Sequence, residues 1–321
     1  MLSAPERTSS RRFIKFAFAT TFLTLGLILF GAIVRVTDSG LGCGNHWPLC
    51  DGSIFPPLDN ITAWIEWLHR LFALLIGVLG IIMLILAFQA YRKQNRIILI
   101  VTAIAAVLFF VQSLLGALTV ALELPPTIVT LHLGTAMLLL GALLVAAMIA
   151  RFKPTAHYEW DNFTALAIIT AALSLVIILT GALVRGSGAT LACIDWPLCN
   201  NTIFPAGQGQ GALIHMTHRY AVLALGVSLG ILLYLAYKLR QDRRIRMLTV
   251  LSLMGYLVQA GIGALFVLTR AAPLWGSLHV GFAALTWAIL VALCAVEWLN
   301  CRPIKDENEE KWQHNSATLT S

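Results

Sequence analysis

Eight long apolar runs decide what this chain can fold into. They lie at about 13–34, 63–90, 97–120, 127–150, 163–184, 212–237, 247–268 and 276–298. A run of roughly 20 apolar residues crosses the hydrocarbon of a bilayer as a helix. Inside that hydrocarbon each segment must satisfy its own backbone N–H and C=O groups. Each run is therefore expected to be a transmembrane helix. Composition agrees, since 59% of the 321 residues are hydrophobic and only 12% are charged, with a mean hydropathy of +0.82. That balance excludes a soluble domain. The first run has a basic flank, Arg11, Arg12 and Lys15. It outruns the ~7–15 apolar residues of a signal peptide and has no A-x-A-like exit, so it reads as a retained helix.

Lysine and arginine set the expected orientation. With the N-terminus inside, the cytoplasmic segments carry Arg7, Arg11, Arg12 and Lys15, then Arg92, Lys93 and Arg96, then Arg151 and Lys153. They also carry Lys238, Arg240, Arg243, Arg244 and Arg246, and Arg302, Lys305 and Lys311 of the tail. The outer side holds only Arg35, Arg70, Arg185, Arg219 and Arg270. The positive-inside rule then puts both termini in the cytoplasm. This asymmetry accounts for the net charge of +7, which is no argument for nucleic acid.

The chain repeats itself. Gly31-Ala32-Ile33-Val34-Arg35 returns as Gly181-Ala182-Leu183-Val184-Arg185. Cys43 to Cys50, with Trp47-Pro48-Leu49, returns as Cys193 to Cys199 with Trp196-Pro197-Leu198. Ile54-Phe55-Pro56 returns as Ile203-Phe204-Pro205, and His69-Arg70 as His218-Arg219. Gly116-Ala117-Leu118 returns as Gly263-Ala264-Leu265, and Leu131-His132-Leu133-Gly134 as Leu278-His279-Val280-Gly281. The expected fold is an all-α integral membrane protein, with eight transmembrane helices in two tandem four-helix bundles. An even number of spans per unit inserts both bundles the same way up. The divisions are a polar, unstructured cytoplasmic tail at 1–12, an N-terminal half at 13–150, a cytoplasmic linker at 151–162, a C-terminal half at 163–300 and a polar cytoplasmic tail at 301–321.

Four histidines, His69, His132, His218 and His279, fall one or two turns inside the outer ends of the even-numbered runs, at matched depth and in two pairs. Ionisable groups at membrane depth are costly and mark function. A neutral imidazole is the usual axial ligand of haem iron, and bundle cores build such sites from facing helices. The bland alternative is a histidine hydrogen-bonded inside each bundle. Zinc fits less well, because no cysteine accompanies them at that depth.

Glu66, three residues before His69, breaks the symmetry, because the second repeat has His215 there. A carboxylate beside a haem ligand can accept protons or stabilise a cation formed on the substrate. Alternatively it pairs with Arg70 or Arg35. His215 reads as a solvated interface residue or a polar group near a propionate. Arg35, Arg70, Arg185 and Arg219 defy the charge rule in matched pairs. They either grip haem propionates or snorkel to the interface. Cys43 with Cys50, and Cys193 with Cys199, face the oxidising side, where disulfides persist. A structural staple and a redox role both stay open. Cys294 and Cys301 lie at the inner end as free thiols.

These motifs together resemble one family, haem A synthase. The resemblance runs from the first span to the eighth. It rests on Gly31-x-x-Val34-Arg35, Ser39-Gly40-Leu41, Cys43-x6-Cys50, Glu66-x-x-His69-Arg70, His132, His218-Arg219 and His279. It departs in the first loop, where Gly44-Asn45-His46 faces Ile194-Asp195 of the second. The resemblance implies an oxidoreductase of the bacterial inner membrane that converts the C8 methyl of haem O to a formyl group. The product is haem A for cytochrome c oxidase. It implies haem O in the N-terminal half with Glu66, His69 and His132, and a b-type haem between His218 and His279. Haem O synthase is the expected partner, and a homo-oligomer stays open. Two rivals are a bis-His electron-transfer cytochrome b, which would need no Glu66, and a haem transporter or chaperone. The latter would want paired proline breaks at mid-membrane, and the runs show none.

Overall fold

The computed structural model describes residues 4–45 and 47–301. The helices are α1 (Ala4–Val36), α2 (Ile61–Tyr91), α3 (Arg96–Ala121) and α4 (Pro126–Arg151). After residues 152–161 come α5 (Asn162–Gly186), α6 (Gln210–Leu239), α7 (Arg243–Leu268) and α8 (Pro273–Asn300). All eight are long and apolar enough to cross a membrane, so the chain is a multi-pass membrane protein. Each expected span lies within its helix. The helices run a few residues further because polar caps, invisible to hydropathy, extend them. Asn60 accepts from the Ala63 N–H, Asp161 from Phe163 and Thr164, and Asp242 from Arg244. Pro126 and Pro273 occupy the first turns of α4 and α8, where a missing N–H does no harm.

One boundary differs. Residues 4–12, expected to be an unstructured tail, continue α1. Extending a helix that the apolar span has already nucleated adds one hydrogen bond per residue fixed. Pro5 sits in the first turn, where proline is tolerated. The polar tail, with Arg302, Lys305 and Lys311, lies outside the described residues, as does His46.

Helices α1–α4 pack in sequence and close with α1 on α4, and α5–α8 do the same with α5 on α8. The two bundles meet through α4–α5, α8–α1 and α4–α8. Helices α4 and α8 form the spine: 56% and 50% of their most apolar stretches are buried, against 17–33% for the rest. The joints are repeat-equivalent. A methyl on Gly134 of α4 would lie 3.1 Å from Leu179 of α5, and one on Gly281 of α8 would lie 2.8 Å from Leu29 of α1. Small residues at such crossings let helices approach where no water drives them together. Trp287 fills the centre, its ring against Gly141 and its Nε1 donating to the Ala171 carbonyl at 3.2 Å.

The end that bears the α4–α5 linker carries an ionic network that only the fold assembles. Arg240 is fully buried. It donates to Glu297 at 3.0 and 3.1 Å and to Asp161 at 2.7 and 2.8 Å, and it stacks on Tyr158 and Phe163. Asp242 accepts from Thr155, Arg244 and Asn300. These contacts clamp the linker between the halves onto the α6–α7 turn and the end of α8. The Arg240 hydrogen bonds hold the Asp161 carboxyl down at about 2. Burial lowers the guanidinium's affinity for its proton, but bonds to Asp161 and Glu297 outweigh it and raise the Arg240 pKa. The first half has a neutral counterpart, in which the Ser10 and Tyr91 hydroxyls meet at 2.7 Å.

Two paired-histidine clusters and their loops

Each of the four histidines is wedged against a glycine of the preceding helix. A methyl on Gly31 would lie 3.2 Å from Cε1 of His69. The distance is 3.2 Å at Gly116 to His132, 3.2 Å at Gly181 to His218 and 2.9 Å at Gly263 to His279. The glycines therefore set how close each imidazole lies to the neighbouring backbone. His69 and His132 lie within electrostatic reach of each other, and so do His218 and His279. The structure thus brings together the two pairs read from the sequence, one per bundle.

The hydrogen bonds to these rings differ between the halves. In the C-terminal half Thr180 Oγ1 lies 2.9 Å from Nδ1 of His218, and Gln259 Nε2 lies 2.9 Å from Nδ1 of His279. Gln259 also donates to the His279 carbonyl at 2.7 Å. Both Nε2 atoms are left for a ligand. In the N-terminal half Gln112 meets His132 through Nε2 at 3.2 Å. The Nδ1 atoms of His69 and His132 are buried with no partner. Phe30, the repeat equivalent of Thr180, packs on the His69 ring with centroids 5.9 Å apart.

A pair of histidines in each bundle fits a group that would take an imidazole nitrogen from each, and in the C-terminal half the bonds at Nδ1 leave both Nε2 atoms for it. Among the described residues no group of three or more His, Cys, Asp or Glu converges on a point where a bare metal ion could sit. A haem asks less of the protein, because its macrocycle supplies the other four ligands.

Glu66 is buried. Its Oε2 accepts from the Cys43 N–H at 2.9 Å, and its Oε1 pairs with Arg70. His215 replaces the carboxylate with an imidazole whose Nε2 lies 3.4 Å from the Arg219 guanidinium. His215 is itself buried rather than solvated, with Nδ1 unpartnered. Arg70 also donates to the Leu49 and Pro48 carbonyls at 3.1 and 3.4 Å. Arg219 likewise donates to Pro197 at 3.2 Å and to Leu198. Both arginines therefore brace the α1–α2 and α5–α6 loops. Arg35 and Arg185 end α1 and α5 and lie within electrostatic reach of each other.

The loops are stapled by Cys43–Cys50 and Cys193–Cys199 bonds, and Cys294 and Cys301 are free. Each loop lies flat on the next helix. A methyl on Gly42 would meet the Thr62–Ala63 backbone at 2.4–2.5 Å. In the second loop the small residue moves to the helix: Ala192 takes the place of Gly42, and Gly211 takes that of Thr62. Trp67 and Tyr220 tie the loop backbones at Ile54 and Ile203.

Sequence reasoning did not single out Gln112, Gln259 or Thr180, nor the part played by the four glycines. A signal existed for some of them. Gln112-x3-Gly116 recurs as Gln259-x3-Gly263, one helical turn apart in both halves.

Comparison with known proteins gives the family. Residues 14–291 match the family described as cytochrome oxidase assembly protein. Relatives named heme A synthase are similar over most of their length. That of Exiguobacterium sp. (strain AT1b) is 32% identical over 285 residues, 86% of this chain and 91% of the relative. That of Bacillus licheniformis is 31% identical over 281 residues, 84% and 91% of the two chains. That of Symbiobacterium thermophilum is 32% identical over 302 residues, 87% and 93%.

Proposed function

Since the chain belongs to the cytochrome oxidase assembly protein family, we propose that it is a haem A synthase, an oxidoreductase that converts the C8 methyl of haem O to the formyl of haem A. Haem O is held between His69 and His132 in the N-terminal half, and haem B between His218 and His279 in the C-terminal half. The observation that carries this division is the hydrogen bonding at Nδ1. A ligating histidine whose other ring nitrogen is bonded is fixed in orientation and tautomer, and loss of that bond typically weakens metal affinity ~10–100-fold. His218 and His279 have that support, from Thr180 and Gln259. His69 and His132 lack it. A resident group suits the first arrangement and an exchanging substrate the second. A plain bis-His cytochrome would give no reason for the difference.

When bound, haem B supplies one-electron transfer. The chain's own residues do the rest. Two successive oxidations of the methyl would each remove two electrons and a proton, the electrons passing to an external acceptor, and water would add to the carbon each time with loss of a second proton, giving a gem-diol that loses water to the aldehyde. Each oxidation builds positive charge on the carbon next to the macrocycle. Glu66, fixed by the Cys43 N–H and Arg70, is a preorganised negative charge beside His69 that stabilises it. Arg35, Arg70, Arg185 and Arg219 line the outer ends where propionates would lie. The disulfides staple the loops whose carbonyls hold Arg70 and Arg219. The excess of Lys and Arg at one end supports a reading with both termini in the cytoplasm of a bacterial inner-membrane protein. Haem O synthase is the expected supplier, and self-association into a homo-oligomer is compatible with the lipid-facing surface.

Pigment extraction tests this reading. Protein purified from cells that make haem O should yield haem B together with haem O or haem A. His218→Ala should lose the haem B fraction, and His69→Ala the haem O and haem A fraction. Haem B alone from the wild-type protein would overturn it.

A further inference from the structure

The histidines of α4 and α8 are each followed two residues later by a glycine, Gly134 after His132 and Gly281 after His279. Two residues turn a helix by ~200°. Each histidine therefore faces its own bundle, and each glycine faces the other one. A methyl on Gly134 would lie 3.1 Å from Cδ2 of Leu179 on α5, and one on Gly281 would lie 2.8 Å from Cδ1 of Leu29 on α1. These two leucines are repeat equivalents. The residue next to each of them touches a histidine of its own bundle. Thr180, after Leu179, meets Nδ1 of His218 at 2.9 Å. Phe30, after Leu29, packs on the His69 ring with centroids 5.9 Å apart.

Two short relays result. One runs from His132 through Gly134 and Leu179 to Thr180 and His218. The other runs from His279 through Gly281 and Leu29 to Phe30 and His69. Each crosses between the bundles, and together they join all four histidines. The crossings have no slack, because a methyl on either glycine would force its leucine to move. Just inward of them Met137, Leu140 and Ala284 are fully buried, with Trp287 between the bundles. Packed interiors are barely compressible, and they transmit a displacement instead of absorbing it.

We propose that the two histidine pairs load cooperatively, and that Leu29 and Leu179, seated on Gly281 and Gly134, are the positioning residues that couple them. A group bound by His218 and His279 fixes α8 directly and α5 through Thr180. Those helices hold Gly281 against Leu29 and Leu179 against Gly134. His132 and the Phe30–His69 contact are then ordered before a second group arrives, so the second binding has less disorder left to remove. Coupling of this kind is reciprocal, and each group strengthens retention of the other by the same factor. Its effect is that substrate settles in a protein already carrying its resident group. The inference rests on the reading that haem O occupies the N-terminal pair and haem B the C-terminal pair.

The test is a double-mutant cycle on haem B retention by full-length protein purified from cells that make haem O. Haem B lost to excess apomyoglobin is followed with time, and the pigment is identified after extraction. His69→Ala empties the N-terminal pair. In the otherwise wild-type chain it should speed haem B loss ~5–150-fold, the usual range of coupling between sites. In Leu29→Ala/Leu179→Ala protein it should leave the rate nearly unchanged. Leu25→Ala/Leu175→Ala, which trims the matching leucines one turn further in, should keep the full effect. Leu29→Ala and Leu179→Ala singly each open one crossing and should lose part of it, so the cycle reports even if the double variant does not fold. Equal haem B retention with the N-terminal pair full or empty overturns the coupling and leaves the functional reading standing. So does an effect of His69→Ala that survives opening of both crossings, or one that trimming Leu25 and Leu175 also abolishes. Wild-type pigment with neither haem O nor haem A overturns the functional reading, and the coupling with it.

Discussion

Thr180 Oγ1 lies 2.9 Å from Nδ1 of His218, and at the matching place in the first repeat Phe30 packs on the ring of His69 instead. One histidine is thus oriented by a hydrogen bond and the other by an aromatic face. Thr180→Val removes the hydroxyl and keeps the shape. It should weaken haem retention by the C-terminal half ~10–100-fold. Haem content against dilution, and the midpoint potential of the remaining haem, are the readouts. Unchanged retention and potential would show that the bond does not orient the ligand.

The glycine wedges lead to a steric prediction. A methyl at Gly263 would sit 2.9 Å from Cε1 of His279, closer than at the other three positions. Gly263→Ala must push the ring or part α7 from α8, so it should shift or abolish the C-terminal haem spectrum. Overpacking of this kind costs ~1–3 kcal/mol. Gly261→Ala, where an added methyl meets nothing within 4 Å, is the control and should leave the spectrum alone.

Glu66 separates charge from shape. Glu66→Gln keeps the size and can keep a contact with the Cys43 N–H, but it deletes the negative charge. Both haems should still bind, while haem O or a hydroxylated intermediate accumulates and haem A formation falls ~10²–10³-fold. His215→Gln, at the equivalent place, should matter far less. A normal haem A yield from Glu66→Gln, or an equal loss from His215→Gln, would remove the carboxylate from the chemistry.

Replacing Cys43 and Cys50 by Ser tests what the first staple is for. The Cys43 N–H is a partner of Glu66, so loosening this loop should disturb Glu66 more than it disturbs the fold. The loop closed is short, with a separation of seven residues, and its loss should destabilise by at most ~2–3 kcal/mol. Activity should fall further than thermal stability. Free labelling of all four loop thiols in unreduced protein would contradict the pairing.

The network around Arg240 has a pH signature. Asp161 is held at about 2 by Arg240, below the ordinary value near ~3.9. A depressed carboxylate stabilises the fold above its unfolded pKa and stops doing so as pH falls through its folded one. The melting temperature in detergent should therefore decline between pH ~4 and ~2. Arg240→Met should flatten that decline. It should also destabilise by ~3–5 kcal/mol, because it leaves the buried Glu297 without its partner.

The sequence by itself determined the number of spans, the duplication and the four histidines. Those properties follow from counts along one chain. Twenty apolar residues must be a helix in lipid, and a histidine in such a run is conspicuous because it is costly there. Only the tertiary structure decided which atoms meet. Gln259 and Thr180 are ordinary polar residues until packing places them against Nδ1 of a histidine on the next helix. Arg240 looks like one more cytoplasmic positive charge until α5 and α8 bring Asp161 and Glu297 to it. Periodicity and composition carry one-body information about burial and depth. The Thr180–His218 and Arg240–Glu297 contacts join residues 38 and 57 positions apart, and no local pattern encodes them.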